Sequence, residues 1–346
     1  MELTKDGANI QQARAIFRLP GESLPQFVVG NLANPADLLG VSGDLFCIQP
    51  FDQNLNAQCI LVSEHVSGWM ACYEKWALIF PALITEPLLA TTSRDAFERE
   101  IEGIRTEIAS GHLEKAVAAR VKSSQIEMDA DAVWRVFEQL HHAHPSAFLF
   151  LIVHPEWGCW MGATPENLLT VEGGVGKVMA LAGTLTAVQS GWTDKERLEQ
   201  TVTSRFIAEA LASSGIVGAE ESRLGELAMG NIKHLVSEWQ FEGVSSRPWR
   251  LLEKLHPTPA VGGYPQQLAC EWLRSNEGFD RGLYAGYLGW IGAQKSVFYV
   301  TLRCSKIVKN GYTLFAGCGV NAGSEVEVEW QETRAKMDLL GQYLPE

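Results

Sequence analysis

Glu329 and Glu332 stand three residues apart, just after the run Gly317-Cys318-Gly319-Val320-Asn321-Ala322-Gly323-Ser324. On a helix that spacing puts both carboxylates on one face, with Lys336 one turn beyond Glu332. Glycines let a backbone come close to a ligand. A helix start adds free N–H groups and the positive end of the dipole. Two carboxylates beside such a turn can hold a divalent cation and a carboxylate substrate together. An acidic first turn also suits an ordinary solvated helix. A second acidic pair changes the balance. Thr193 and Glu196 form a capping box, which by itself accounts for Glu196. Glu199 lies three residues on, on the same face. Two helix starts with paired glutamates could meet around one metal.

Other residues offer acid, base or anion-binding chemistry. Lys115 lies in the strand-like run His112 to Val121 among small apolar residues. It is either an edge lysine that snorkels to water or one whose pKa burial lowers until it can act as a base. Glu166, in Thr164-Pro165-Glu166-Asn167, is a candidate acid or simply part of a Pro-Glu turn. Arg303, flanked by Leu302 and Cys304 in a strand-like run over 297–307, calls for an anionic partner. His234 reads as a strand histidine in the run Gly230 to Ser237. His141, His142 and His144 read as surface residues, since no Cys or acidic partner stands at ligand spacing. Gly173 to Lys177 lacks the spacing of a phosphate loop and reads as a hairpin turn.

The elements that must position these groups are mixed. Residues 1–92 read mostly as strands and turns, with Phe27–Val29, Leu45–Ile48 and Ala57–Val62 as short strands. Phe97, Ile101, Ile104 and Ile108 recur at helical spacing, with Ser93 or Asp95 as cap and Gly111 as stop. Ala132–His142 predicts a helix, and a longer one opens at Thr193. The constrained loop Leu255 to Pro265 suits a pocket wall. Strands over 283–291, 297–307 and 312–317 lead into the last helix. We expect the region 1–92 to be a strand-rich part of the same body as the region 93–346.

With 346 residues, 46% apolar and 20% charged, the chain is globular in class. A net charge of −13 without a basic run excludes a nucleic-acid surface and an acidic membrane surface. It also requires a local cation, or a few placed Arg and Lys, for any anionic substrate. Seven scattered cysteines without a C-x-x-C pair, and no apolar signal core, point to a reduced, cytoplasmic protein.

From about Arg94 onward the chain resembles the chorismate-utilising enzymes, which include isochorismate, salicylate, anthranilate and aminodeoxychorismate synthases. The motifs carrying this are Glu114-Lys115-Ala116-Val117, Gly162-Ala163-Thr164-Pro165-Glu166, Leu181-Ala182-Gly183-Thr184, Lys195-Glu196-x-x-Glu199, Leu302-Arg303-Cys304, Gly317-x-Gly319 and Glu329-x-x-Glu332-Thr333-x-x-Lys336. The resemblance implies an α/β (α+β) fold: one large body of antiparallel sheets, helices packed outside and a deep central active site. Lys115 with Ala182 resembles the water-adding branch, and the loop His256 to Gly263 its isochorismate-synthase version. Gln200 departs from the family pattern, which has a histidine there.

That likeness implies a Mg²⁺-dependent isomerase, an isochorismate synthase that adds water at C2 of chorismate and expels the C4 hydroxyl. Lys115 would be the general base and Glu166 the general acid. Glu199 and Glu332 would bind Mg²⁺, with Glu196 and Glu329 on its waters. Gly183, Thr184, His234, Tyr284, Arg303, Gly317, Gly319 and Lys336 would hold the substrate. A glutamine amidotransferase subunit is not expected, and the protein is expected as a monomer or weak homo-oligomer serving menaquinone or siderophore biosynthesis. The nearest alternative is a salicylate synthase, which goes on to eliminate pyruvate. A more remote one is a non-catalytic chorismate-binding relative.

Overall fold

The structure, a computed structural model, describes residues 12–38, 42–83, 85–186, 191–230, 232–245 and 247–345. Asn231, part of one expected strand, lies outside them. In chain order the elements are β1 (Ala13–Arg18), β2 (Gln26–Ala33), β3 (Leu45–Gln49), β4 (Gln58–Ser67), α1 (Trp69–Ile79), α2 (Arg94–Ala109), β5 (Lys115–Gln125), α3 (Ala130–Ala143), β6 (Phe148–His154), β7 (Gly158–Thr164), β8 (Asn167–Glu172) and β9 (Val175–Leu185). They continue with α4 (Asp194–Ser213), β10 (Glu220–Glu221), β11 (Gly225–Met229), β12 (Ile232–Glu242), α5 (Trp249–Leu255), β13 (Gly263–Tyr264), α6 (Gln266–Asn276), β14 (Tyr287–Ile291), β15 (Lys295–Val300), β16 (Cys304–Val308), β17 (Gly311–Val320) and α7 (Val326–Gly341).

Every strand pairing among the described residues is antiparallel. From β12, which carries β10 and β11 on its outer edge, the ladder runs through β9, β8, β15, β14, β3, β4, β2, β1, β6, β7, β16, β17 and β5 to β13. The early strands are woven into it, β1 against β6 and β3 against β14. Two corners carry the chain between the halves of this ladder: Pro165–Glu166 between β7 and β8, and Thr301–Arg303 between β15 and β16. They face each other, since Val300 N donates to Glu166 O (3.0 Å) and Ala163 N to Arg303 O (3.2 Å).

Local sequence explains the elements around these corners. In α2 the residues Phe97, Ile101 and Ile104 are buried on one face, and the Ser93 hydroxyl accepts from Ala96 N at 3.2 Å. After Lys115, β5 runs through Ala116 to Ala119, with β17 paired along one edge and β13 against its first two residues on the other. Helices α4 and α7 lie against β9 and β17, which brings the two glutamate-bearing helix starts together. No helix among the described residues is long and apolar enough to cross a membrane.

Several sequence-based expectations are corrected. Residues 69–79, within a region read as strands and turns, form α1; Trp76 is buried there and its indole N–H donates to Ala130 O at 2.9 Å. Apolar residues from a short helix and from a strand look alike when the run is brief. His144 is buried, not on the surface; its carbonyl accepts from Arg18 Nη2 at 2.8 Å. The last strand, expected to end at Gly317, continues to Val320, so Gly319 lies inside β17 rather than in a turn. Arg303 is not a strand residue: it sits in the corner with φ of 48°, a left-handed value rare outside glycine.

Candidate active site

Lys115 is the first residue of β5 and is only 1% exposed, which removes the snorkelling alternative. Its Nζ donates to Glu199 Oε2 at 3.3 Å. Burial lowers the ammonium pKa, and the Glu199 carboxylate pulls against that shift. Glu166, in the corner after β7, is equally enclosed. Burial pushes its carboxyl up to about 8, against the opposing pull of Arg303, Lys336 and Lys115. A carboxyl in that range carries its proton at pH 7.

A cavity opens between the two corners. Its lining includes Glu166, Gly183, Thr184, Glu199, His234, Tyr284, Arg303, Gly317, Gly319 and Lys336, and Ala260 and Val261 of the constrained loop form one wall. Ten of the fourteen residues singled out in the sequence thus meet in one place. Lys115 does not line the cavity and contacts it through Glu199. Glu196, Glu329 and Glu332 lie behind the wall with the helix starts.

Arg303 is held without a carboxylate. Its Nη2 lies 2.8 Å from His234 Nε2, and its buried Nε has no protein partner. His234 Nδ1 lies 3.1 Å from Gly183 O. Burial and the Arg303 charge hold the His234 imidazole well below its usual pKa. The neutral ring therefore donates from Nδ1 to the Gly183 carbonyl and accepts from Arg303 at Nε2. This leaves a guanidinium N–H for an anion in the cavity. Lys336 donates to Glu332 Oε1 (2.6 Å) and Gly317 O (2.9 Å). Past Leu314, β17 has β5 on one side and, among the described residues, no strand on the other, and its Gly317 and Gly319 border the cavity.

The acidic residues divide. Glu196 Oε2 closes the capping box, accepting from Thr193 N at 2.8 Å and Thr193 Oγ1 at 2.5 Å. Glu199, Glu329 and Glu332 converge on Lys195, a residue to which sequence reasoning gave no role. Its Nζ stands 2.9 Å from Glu329 Oε1, 3.1 Å from Glu199 Oε1 and 4.0 Å from Glu332 Oε2. Burial and the neighbouring glutamates raise Glu329 to about 7, with Lys195 opposing. Glu332 also feels burial, but Lys336 and Lys195 outweigh it and hold its pKa below the usual range.

Among the described residues no three His, Cys, Asp or Glu side chains form a ready-made metal cage. The donor set nevertheless fits a hard cation such as Mg²⁺, which keeps waters and needs only one or two direct carboxylates. Glu199 Oε1 and Glu329 Oε1 are buried with only the Lys195 ammonium beside them, and Glu329 Oε2 is buried without a hydrogen-bond partner, which leaves carboxylate charge for an outside ligand.

A family described as "Chorismate binding enzyme" matches residues 81–345. The chain is 31% identical over 264 residues to the salicylate biosynthesis isochorismate synthase of Pseudomonas aeruginosa, across 72% of this chain and 55% of that protein. It is 28% identical over 268 residues to isochorismate synthase EntC of Escherichia coli K12, across 72% of this chain and 67% of that one. The matched stretch thus spans between about half and two thirds of these relatives. The solved MenF, the menaquinone-specific isochorismate synthase from Escherichia coli, superposes with a TM-score of 0.79 at 21% identity, covering 96% of this chain and 89% of that one. Anthranilate synthase component I from Streptococcus pneumoniae gives 0.66 at 16%, covering 86% and 80%. The fold is that of these enzymes, and the chain belongs to the chorismate-binding enzyme family.

Proposed function

We propose that this member of the chorismate-binding enzyme family is an isochorismate synthase, adding water at C2 of chorismate as the C4 hydroxyl leaves. One observation carries the reading: a buried glutamate, whose carboxyl burial pushes up to about 8, lines one cavity with Arg303 and Lys336, and a buried lysine reaches that cavity through Glu199. The isochorismate synthases among its relatives support it.

The residues divide the work as follows. Lys115, in its neutral form, takes a proton from the attacking water. Glu166 gives its proton to the departing hydroxyl, which is otherwise a poor leaving group. Arg303, whose buried Nε has no protein partner, holds a carboxylate of the substrate, and Tyr284 stands beside it. His234 fixes Arg303 and borders the ring site with Gly183 and Thr184. Glu199 and Glu332 would hold Mg²⁺, with Glu329 and Glu196 towards its waters. When bound, Mg²⁺ would anchor and neutralise the second carboxylate of the substrate.

The test is a product assay on purified protein with chorismate and Mg²⁺, with and without EDTA, separated by chromatography. Isochorismate alone, lost on adding EDTA, is the expected outcome. Salicylate and pyruvate would assign the same site to the longer reaction. Absence of turnover in water, with or without ammonia, would overturn the reading.

A further inference from the structure

Lys195 lies on the first turn of α4, and its side chain is 9% exposed. The ammonium is the shared neighbour of Glu199, Glu329 and Glu332, three carboxylates from two helices. It forms ion pairs with Glu329 Oε1 at 2.9 Å and Glu199 Oε1 at 3.1 Å, so its charge stands where a cation shared by these carboxylates would stand. A Mg²⁺ ligand sits at about 2.1 Å from the ion. An ammonium and a dication in contact with the same buried oxygens repel strongly where water screens little.

We propose that Lys195 is an internal competitor for the divalent cation: its ammonium holds the glutamate set together in the metal-free chain and swings out when the cation enters. The inference rests on the metal reading given above. It explains how three buried carboxylates can fold together before any metal arrives, since unpaired buried charge is costly. It also sets the sensitivity of the site. A cation that binds only the lysine-out state shows an affinity reduced by the fraction of chain in that state.

The test is binding without substrate. Mn²⁺, followed by electron paramagnetic resonance, and Mg²⁺, followed by calorimetry, are titrated into wild type and Lys195→Gln. The variant is expected to bind both ions at least about tenfold more tightly and to gain more thermal stability from them than wild type does. Unchanged or weaker binding by the variant would overturn the proposal, because a lysine that merely supports the glutamates helps the metal. If neither protein binds either ion, with or without chorismate, the metal assignment itself fails and this inference with it. A second measurement uses wild type alone, so that a poorly folding variant leaves the question decidable. Acetic anhydride labelling of Lys195, read by peptide mass spectrometry, is expected to rise severalfold on saturating with Mg²⁺; labelling that stays level or falls would overturn the proposal.

Discussion

Gly319 and Glu199 compete for one space: a Cβ on Gly319 would stand 2.0 Å from Oε2 of Glu199, the oxygen that accepts from Lys115. The glycine is there for its missing side chain, not for its backbone angles. Gly319→Ala would displace the carboxylate while leaving β17 intact. We expect turnover to fall by about a hundredfold or more, as for a misplaced catalytic group. Far-ultraviolet circular dichroism should be unchanged. A variant with normal turnover would show that the Glu199 position does not matter.

Glu166 makes a prediction about stability that needs no substrate. Its folded pKa of about 8 lies above the usual carboxyl value of 4.5. A raised carboxyl contributes stability below the unfolded pKa and loses it as pH climbs to the folded one. Between roughly pH 4.5 and 8, wild type should therefore lose stability that Glu166→Gln keeps. The melting temperature of the variant should match that of wild type near pH 4.5 and exceed it by several degrees at pH 8. Parallel melting curves across that range would show that Glu166 titrates normally.

The sequence made the site more legible than its scaffold. The acidic pairs, Lys115 and Glu166 carry chemistry in their residue types, and spacing put each glutamate pair on a helix face. The two glutamate-bearing helix starts do meet, through Lys195. Lys195 enters the sequence reading only within the motif Lys195-Glu196-x-x-Glu199, without a role of its own, because nothing in a capped first turn shows that its side chain is buried. Its burial comes from α7, more than a hundred residues away. Arg303 was placed in a strand because its neighbours are apolar; only the opposing corner at Glu166 shows that the chain must turn there. Helix α1 was missed because Trp69 to Ile79 is short and its periodicity is blurred by apolar residues on more than one face.

Arg281 ties two walls of the cavity together. Its Nη1 donates to Val261 O at 2.8 Å and its Nη2 to Val117 O at 2.6 Å, while Glu277 neutralises it. Arg281→Met leaves Glu277 buried without its partner. Breaking such a pair costs about 3–5 kcal/mol. We expect a markedly lower denaturation midpoint in urea. Glu277→Gln in the Arg281→Met background should recover part of the loss, because the stranded charge is then gone. A single variant as stable as wild type would contradict this account.

Lys115 yields the sharpest kinetic prediction. Its ammonium is buried against Glu199, and burial lowers its pKa. A base must be neutral, so turnover should fall on the acid side as Lys115 takes up a proton. It should fall again above about 8, where Glu166 gives its proton up. The profile of kcat/KM in the free enzyme is therefore bell-shaped, one limb set by Lys115 and the other by Glu166. Lys115→Met keeps most of the volume and removes the base. We expect it to lower kcat by roughly 10²–10⁴-fold with a native circular dichroism spectrum. Its residual activity should lose the limb set by Lys115 and keep the one set by Glu166 near 8. A Lys115→Met enzyme that retains both limbs would assign the base to a group that lines the cavity itself, and Glu199, already 3.3 Å from the lysine, would be the first to replace next.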